Sequence, residues 1–322
     1  MKNKNHVIMH YLPNLFTYFR EEQSIKIPVG FSRSPNKPKL LLDWLKNHNL
    51  HYVKLRKDWN PFQKEDFLIA HTEEYVDSFF EGGRLADSNG LSWNPEFARS
   101  VQYTNASLYE AIKNSLDHPG EISFSPTSGF HHATPERGHG FCSFSGQVIA
   151  SVKHYRERGV CGAYIDLDEH FGNSIEDSRE FCPDLNLAVP KGANVNPSGR
   201  NQKYIKSLEE KLQSLNLHIL ENRIHYIVVC SGADSLEDDD LGSSLALKEW
   251  LACKRIVYEW ILDLSKQLGR HIPVTITLFG GYRQDHFESV LDAHTQDLLI
   301  CLEVLSGVKT DYDSVYRPRN LP

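Results

Sequence analysis

The chain has 322 residues, 40% hydrophobic content, a formal net charge of −7 and a pI near 6.1. These values allow a large buried core, and we expect one catalytic domain over residues 1–322. Neutralising a phosphate backbone requires clustered Lys and Arg, so the acidic balance argues against direct nucleic-acid binding. It would tolerate cationic substrates such as lysine-bearing peptides or polyamines.

Cysteine usage and hydropathy bear on where the protein works. The six cysteines contain no Cys-x-x-Cys pair, and several lie inside apolar runs, which favours a reducing compartment. No uninterrupted apolar stretch follows residues 1–6, so we predict no signal peptide. No run approaches the roughly 20 apolar residues that a membrane helix needs. A soluble, cytoplasmic protein with no membrane partner is expected.

The first third of the chain carries helical patterns. Apolar residues recur at helical spacing over residues 38–47, 67–80 and 95–116, and Gly82-Gly83 can end the second helix. Three helices are therefore predicted before the first predicted strand.

Short apolar runs then alternate with helical segments. The predicted strands cover residues 122–125, 161–165, 225–230 and 274–279. The predicted helices that follow them cover residues 144–157, 202–215, 244–268 and 285–305. This alternation predicts an α/β fold with three αβα layers and a mostly parallel central sheet. Residues 183–200, rich in Pro, Gly and Asn, are predicted to form a surface loop near the site.

Each predicted strand leads into residues that can bind a metal or work beside one. Ligands and catalytic groups in open α/β sheets gather at the carboxyl ends of the strands, so these groups predict a single site. The four segments are Phe130-His131-His132, Asp166-Leu167-Asp168-Glu169-His170, Gly232-Ala233-Asp234 and Gly280-Gly281-Tyr282.

The second of these segments has the spacing of a metal-binding strand end. Asp168 and His170 alternate with other residues, so in an extended backbone their side chains project to the same face. Asp234 at another strand end can complete a set of three ligands, which leaves a zinc position open for water and substrate. Two carboxylates and one imidazole also suit Fe(II) or Co(II). The alternative is that Asp168 and His170 are ordinary polar residues where a strand meets solvent.

The adjacent histidines offer two imidazoles in one pocket. Asp166, on the same strand face as Asp168, can orient one of them and stabilise its charge. A neutral imidazole beside a metal-bound water is a suitable general base, and its protonated form can protonate an amine leaving group. A His-His pair by itself is more often a feature of loop composition, so the prediction depends on the neighbouring motifs.

Tyr282 follows two glycines, which permit a sharp turn and a close backbone approach. Its phenol can therefore donate a hydrogen bond to a developing oxyanion, unless it merely packs under the sheet edge. Other polar residues are given structural roles. The run Glu237-Asp238-Asp239-Asp240 is interpreted as a solvated helix start. His286 and His294 are expected on a helix, either solvated or with satisfied hydrogen bonds.

Taken together, these motifs resemble the zinc-dependent histone deacetylase family of the arginase/deacetylase fold, which includes bacterial acetylpolyamine amidohydrolases. Five ordered motifs span most of the chain and are far more specific than any one of them. The matching stretches are residues 128–133, 138–144, 164–173, 231–235 and 280–282, with weaker similarity at residues 71–76.

The resemblance implies a role for each matching residue. Zinc is held by Asp168, His170 and Asp234, with a potassium ion near Asp166 and Asp168. The catalytic residues are His132 as general base and then general acid, His131 as an electrostatic partner paired with Asp166, Asn173 as the partner of the second histidine, and Tyr282 as the donor to the carbonyl oxygen. The substrate-binding residues are Gly140, Phe141 and Gly281, of which Gly140 and Phe141 receive the substrate amide and line the acyl-lysine channel.

Several positions depart from the family pattern. Phe171 stands where many members have a second histidine, and Ser174 replaces a common glycine. The loop after Gly172 is also short, so no residue is assigned to the second aromatic wall of the channel, for which Phe181 is a candidate. We therefore hypothesise a pocket that is wider or differently covered than in typical members.

The sequence thus predicts an amidohydrolase that uses zinc-activated water to remove an acyl group, expected to be acetyl, from a lysine side chain or a polyamine. One alternative is an acylpolyamine or other small-molecule amidohydrolase rather than a protein deacetylase. Another is a catalytically inactive, deacetylase-like binding module. A two-manganese ureohydrolase would need further carboxylates, which are not found near Asp168 or Asp234. The natural substrate, the acyl length, the metal used and the oligomeric state stay open.

Overall fold

A seven-stranded parallel sheet crosses the part of the chain that the computed structural model describes, residues 10–319. Residues 1–6, used above to predict the absence of a signal peptide, lie outside the described residues. The strands are β1 (Leu15–Tyr18), β2 (Val53–Arg56), β3 (Ile122–Ser125), β4 (Gly162–Asp166), β5 (Asn194–Val195), β6 (Tyr226–Ser231) and β7 (Val274–Leu278). Their order across the sheet is β2-β1-β3-β7-β6-β4-β5.

Helices flank this sheet to make the three αβα layers. In one group α4 packs against α5, and in the other α9 packs against α8 and α10. A short 3-10 helix covers Glu21–Gln23. The α-helices are α1 (Lys37–Asn47), α2 (Lys64–Phe67), α3 (Glu73–Glu81), α4 (Pro95–Asp117), α5 (Gly146–Arg158), α6 (Ser174–Asp177), α7 (Leu185–Ala188), α8 (Gln202–Leu220), α9 (Leu247–Leu268) and α10 (Glu288–Ser306).

The register of the central strands brings their carboxyl ends level. Asp166 of β4 pairs with Cys230 of β6, and Cys230 pairs with Thr277 of β7. Thr277 in turn pairs with Ser125 of β3. Because all four strands are parallel and buried, the loops that follow them leave from one edge of the sheet.

The predicted fold class is confirmed, and the four predicted strands match β3, β4, β6 and β7. The prediction missed β1, β2 and β5. Three residues of β2 are exposed, so this edge strand has little apolar pattern to detect. The predicted surface loop at residues 183–200 is partly wrong, since it contains α7 and β5, which pairs with β4.

The start of one predicted helix differs clearly from the structure. The helix predicted from residue 67 begins at Glu73, because the Thr72 side chain caps it by accepting a hydrogen bond from the Tyr75 N–H at 3.3 Å.

All six cysteines are free thiols. Within residues 10–319, no helix has the length and apolar content to cross a membrane.

Candidate active site

The predicted metal-binding segment begins where β4 ends. Asp166 is the last residue of β4, and its carboxylate accepts a hydrogen bond from the Asp168 N–H at 3.2 Å. The Asp168 carboxylate accepts one from the His170 N–H at 2.9 Å. Each aspartate therefore bonds the backbone two residues later, as in an Asx-turn, and this local bonding defines the path of the chain after the strand.

The structure brings the three predicted metal ligands together. His170 Nδ1 lies 3.2 Å from Asp168 Oδ1 and 3.0 Å from Asp234 Oδ2. One ligand atom from each residue lies within 4.8 Å of the other two. Two ligands bound at about 2.1 Å to a tetrahedral ion lie about 3.4 Å apart, so these separations suit one divalent cation.

Two glycines let the backbone pass close to this trio. A Cβ added at Gly280 would lie 2.2 Å from Asp234 Cγ, and one at Gly232 would lie 2.7 Å from Asp168 Cα. Side chains at either position would overlap the carboxylates, so the close approach requires glycine. The Gly280 N–H donates to Asp168 Oδ2 at 2.8 Å, and the end of β7 thereby orients a ligand that follows β4.

The electrostatics of the trio also fit a cation. The side chains of Asp168 and Asp234 are almost completely buried. Hydrogen bonds to these two carboxylates raise the pKa of His170 to about 11. Burial and the adjacent Asp168 raise the pKa of Asp234 well above its usual value. The pKa of Asp168 is instead held well below its usual value, because the charge of His131 and hydrogen bonds from His170 outweigh its burial. The two adjacent carboxylates thus favour keeping one proton between them, and a divalent ion would provide the same compensation.

His131 pairs with a carboxylate, as the sequence predicted. Its Nδ1 lies 2.9 Å from Asp166 Oδ2, and its Nε2 lies 3.7 Å from Asp168 Oδ1. Burial lowers the pKa of His131, but the charges of Asp168 and Asp166 outweigh this effect and raise the pKa to about 9. The imidazole is therefore held in an environment that favours its charged form.

His132 has an uncharged partner instead. Its Nδ1 lies 2.8 Å from Asn173 Oδ1, and Asn173 Nδ2 donates to Asp177 Oδ2 at 2.6 Å. Because the amide N–H group faces Asp177, the amide oxygen faces the imidazole, which must carry its proton on Nδ1. Burial and the neighbouring His131 lower the pKa of His132 to about 4. Sequence reasoning found Asn173 but not Asp177.

Gly140 and Phe141 form a tight turn beside His132. Both residues have positive φ, +51° and +63°. A Cβ added at Gly140 would lie 2.6 Å from the His132 Cδ2 atom, so this position has no room for a side chain. The Phe141 N–H donates to the Asn89 carbonyl at 2.8 Å, which orients the loop. The Phe141 ring is half-buried, with its centroid 5.5 Å from that of Tyr282.

Tyr282 lies on the same edge of the sheet, after β7. Its backbone N–H donates to Asp239 Oδ2 at 2.7 Å. The preceding Gly281 has φ +130°, a conformation that other residues rarely adopt. Burial and the charges of Asp168 and Asp234 raise the pKa of Tyr282 well above its usual value. The phenol therefore keeps its proton and can act as a hydrogen-bond donor.

Lys37 supports the turn before Tyr282 and escaped the sequence analysis. Its Nζ is fully buried and donates to the carbonyls of Phe279 and Gly280, the latter at 2.9 Å. Burial lowers the pKa of Lys37 to about 8, although the charges of Asp234 and Asp168 oppose this shift. A lysine at the start of an amphipathic helix is usually exposed, so no local pattern indicates this position.

The acidic run at residues 237–240 is not a helix start, and only part of it is solvated, since Glu237 and Asp240 are exposed, so that prediction was largely wrong. Asp238 and Asp239 are 5% and 8% exposed, and the run precedes α9 by several residues. The carboxylates of Asp239 and Asp240 accept hydrogen bonds from the backbone N–H groups of Tyr282 and Gln284. These hydrogen bonds form because the loops that follow the neighbouring strands β6 and β7 meet at the same edge of the sheet.

The prediction for the remaining histidines was only partly correct. His286 precedes α10, and its Nδ1 lies 3.0 Å from Ser289 Oγ. His294 is fully buried within α10, and neither ring nitrogen has a hydrogen-bond partner among the described residues. Burial lowers the pKa of His294 well below its usual value, so it is neutral. Its packing position, which a helical pattern does not reveal, overrides the expected solvation.

The second wall of the channel stays a prediction. Phe181 is 40% exposed and Phe171 is 60% exposed. Within residues 10–319, Tyr282 is the aromatic side chain that pairs with Phe141. Ser174, which departs from the family pattern, is buried and hydrogen-bonds to Ser145.

Comparison with known proteins connects this geometry to one family. Residues 32–189 match the family described as the histone deacetylase domain. The chain is 25% identical to histone deacetylase B of Dictyostelium discoideum, over 87% of this chain and 71% of that protein. It is 24% identical to histone deacetylase 2 of Arabidopsis thaliana, over 71% of this chain and 64% of that protein.

A third relative and one solved structure extend the comparison. Histone deacetylase 8 of Danio rerio is 22% identical over 51% of this chain and 46% of that protein. The chain thus spans about half to 71% of the length of these three relatives. The crystal structure of the HDA15 HD domain matches with a TM-score of 0.69 and 16% identity, covering 91% of this chain and 88% of that chain. At that identity the likeness shows the fold.

Proposed function

We propose that this chain, whose residues 32–189 match the histone deacetylase domain family, is a metal-dependent amidohydrolase that removes an acyl group from a lysine side chain or a polyamine. The observation that carries this proposal is the convergence of Asp168, His170 and Asp234 at the sheet edge that also presents His132 and Tyr282. Similarity to this family supports deacetylase chemistry, and the donor set supports a metal centre.

Asp168, His170 and Asp234 would hold the metal. Zinc fits this donor set with a position left for water and substrate, and Fe(II) or Co(II) would fit the same ligands. When bound, such an ion polarises a carbonyl oxygen and lowers the pKa of a water molecule towards about 7. A potassium ion near Asp166 and Asp168 is part of the proposal as a structural cation.

His132 is the proposed general base. Its Nδ1 is engaged by Asn173, so Nε2 is the nitrogen that can take a proton from the attacking water. The uncharged amide of Asn173 stabilises an imidazolium less than a carboxylate would, and burial with the neighbouring His131 keeps the pKa of His132 low, so the proton gained at Nε2 is readily passed on to the amine leaving group. The bond that breaks is the amide C–N bond, and the products are a carboxylate and an amine.

His131 and Tyr282 would stabilise charge. His131, paired with Asp166, is the positively charged neighbour of the reacting centre. Tyr282 keeps its phenolic proton and donates a hydrogen bond to the carbonyl oxygen as negative charge develops there. Removing one such donor typically costs about 3 kcal/mol, or roughly 100-fold in rate.

The substrate is proposed from the residues beside the site. Gly140, Phe141 and Gly281 would contact the acylated amine, with the Phe141 ring against its aliphatic carbons. An acyl-lysine side chain and an acylated polyamine both present an amide at the end of a flexible chain. The short segment after Gly172 is consistent with a wider pocket, so an acylpolyamine or other small-molecule amidohydrolase is the second candidate.

A single assay series tests the proposed function. The purified protein is analysed for bound metal and then assayed with acetyl-lysine peptides, longer acyl-lysine peptides and acetylpolyamines. We expect one metal ion per chain and amide hydrolysis that a hydroxamate inhibits. Metal binding without hydrolysis of any substrate would point to an inactive binding module. A preparation that takes up no divalent ion would refute the proposal.

A further inference from the structure

The segment that carries Tyr282 is an irregular loop held by carboxylates from another loop. Asp239 Oδ2 accepts from the Tyr282 N–H at 2.7 Å, and Asp240 Oδ2 accepts from the Gln284 N–H at 2.8 Å. These two backbone amides flank Arg283. Without a strand ladder, the position of the Tyr282 backbone depends on where these carboxylates lie.

Arg319 joins the two sides of this loop. Its Nη2 donates to Asp240 Oδ1 and to Asp285 Oδ1, the latter at 2.8 Å. Arg283 adds a second contact, donating from Nε to Asp285 Oδ1 at 2.9 Å. Asp240 lies in the loop after β6, whereas Asp285 follows Tyr282 by three residues. One guanidinium therefore links the carboxylates on both sides of the segment.

Arg319 lies on a segment that is itself anchored, residues 310–319, which we call the strap. The Asp292 carboxylate in α10 accepts hydrogen bonds from the strap at two hydroxyls and one N–H. The Tyr316 hydroxyl donates to Asp238 at 3.1 Å, and the Arg317 carbonyl accepts from Arg283. The strap thus presents Arg319 in a defined position against the acidic run.

The balance of charge shows what Arg319 contributes. Asp240 and Asp285 both contact one nitrogen of Arg319, so the bonded oxygens lie no more than about 6 Å apart. Two carboxylates at that separation repel each other unless a cation lies between them. The Arg319 side chain is 33% exposed, so its ion pair with Asp240 adds little to folding stability. Its effect should therefore be seen in the position of the loop.

We propose that Arg319 is a positioning residue for Tyr282. It holds Asp240 and Asp285 together, and Asp240 and Asp239 fix the backbone from which the phenol projects. This inference rests on the proposed role of Tyr282 as a hydrogen-bond donor. We call the contacts of Arg319 with Asp240 and Asp285 the clamp. Because misplacement of a catalytic group on the order of 1 Å can cost about 100-fold in rate, weakening the clamp is expected to lower turnover.

Three variants test the clamp in the metal-loaded enzyme. Arg319→Gln removes the charge and should lower kcat about tenfold with KM nearly unchanged, since the phenol acts on the transition state. Arg319→Lys keeps the positive charge but lacks the planar guanidinium with its several N–H donors, so it should lose less activity than Arg319→Gln. The double variant Asp240→Asn with Arg319→Gln removes the repulsion between the two carboxylates, and its kcat should recover to within about threefold of wild type. Arg255→Gln, which breaks a surface pair with Glu303, is the matched control.

Hydrogen exchange provides a readout that does not depend on activity. The amides of Tyr282 and Gln284 should exchange faster in Arg319→Gln than in wild type, and the double variant should restore their protection. Unchanged kcat and unchanged exchange in Arg319→Gln would overturn the clamp. If wild type hydrolyses no substrate in the panel, the proposed function fails, and the exchange data alone decide whether the clamp exists.

Discussion

The candidate site has two sides that are built differently. The proposed metal side, Asp168, His170 and Asp234, comes from short segments directly after two buried strands, and its hydrogen bonds come from those segments and from the Gly280 N–H at the end of β7. The proposed proton-transfer side, His132 and Tyr282, depends on side-chain partners that lie far away in the sequence. His132 is oriented through residues about 40 positions later in the chain, and Tyr282 through a carboxylate 43 positions earlier.

This difference has a consequence for function. A ligand set with two buried carboxylates, packed against strand ends and glycines, tolerates little change, so a lost ligand should abolish the centre. Side chains held through several partially exposed hydrogen bonds can shift by small amounts, so substitutions among their partners should produce graded losses. The following substitutions test this contrast.

The largest loss is expected from Asp234→Asn, on the metal side. The variant keeps the side-chain shape but removes a charge from the ligand set. A catalytic ion contributes several kcal/mol to a hydrolytic transition state, so turnover should fall on the order of 1000-fold or more. Metal content, measured on the same preparation by elemental analysis, should fall in parallel.

Glu169→Gln is the matched control for that variant. Glu169 lies between two ligands in the sequence, but its carboxylate accepts a hydrogen bond from Ser244 at 2.7 Å instead of joining the trio. Metal content and kcat should therefore stay near wild type. Equal losses in the two variants would mean that charge near the site, and not ligation, determines activity.

Tyr282→Phe, on the proton-transfer side, should cost about 100-fold in kcat, because it removes one donor to the developing oxyanion. The Phe variant should fold and retain its metal, since the phenol is not part of the ligand trio. Comparing kcat with KM separates this effect from weaker substrate binding. Unimpaired turnover would remove Tyr282 from the mechanism.

The sequence sufficed to predict the fold class and to group the three residues of the proposed metal side, which the structure brings together. Buried parallel strands have a strong apolar signature, and polar groups that follow them must meet at one edge. Asp168 and His170 could thus be paired from their spacing, and Asp234 was added from the next motif. These inferences needed only periodicity and the direction of the strands.

The supporting residues could not be predicted in this way. The contacts made by Lys37, Asp239 and Asp177 depend on how loops and helices pack. From the sequence alone, each of these residues would be interpreted as an exposed surface charge. The acidic run was interpreted as solvated for this reason, although its carboxylates bond the Tyr282 segment. A charge next to a helix is usually exposed, so its burial shows only in three dimensions.

Gly140→Ala tests how little space surrounds His132. The added Cβ would lie 2.6 Å from His132 Cδ2, so the imidazole must move, and we expect a loss of several tens of fold in kcat. Gly159→Ala is the matched control, because Gly159 also has positive φ (+67°) but a Cβ there meets nothing within 4 Å. Both variants carry similar backbone strain, and the overlap with His132 should make the drop in Tm larger for Gly140→Ala. Gly140→Ala should lose more activity than its loss of stability explains, whereas Gly159→Ala should not.

The smallest loss is expected from Asp177→Ala, the outermost member of the His132 chain. Asp177 accepts from the Asn173 amide and thereby turns the amide oxygen towards His132 Nδ1. Without it the amide can rotate and offer its NH₂ group, which an Nδ1–H cannot accept, so part of the population would carry its proton on Nε2 and could not act as base. Outer partners of catalytic groups typically contribute about tenfold, and a loss of that size in kcat is expected. Asp177→Asn retains an acceptor oxygen and should recover part of the activity, whereas equal activity in wild type and both variants would show that Asn173 is oriented without Asp177.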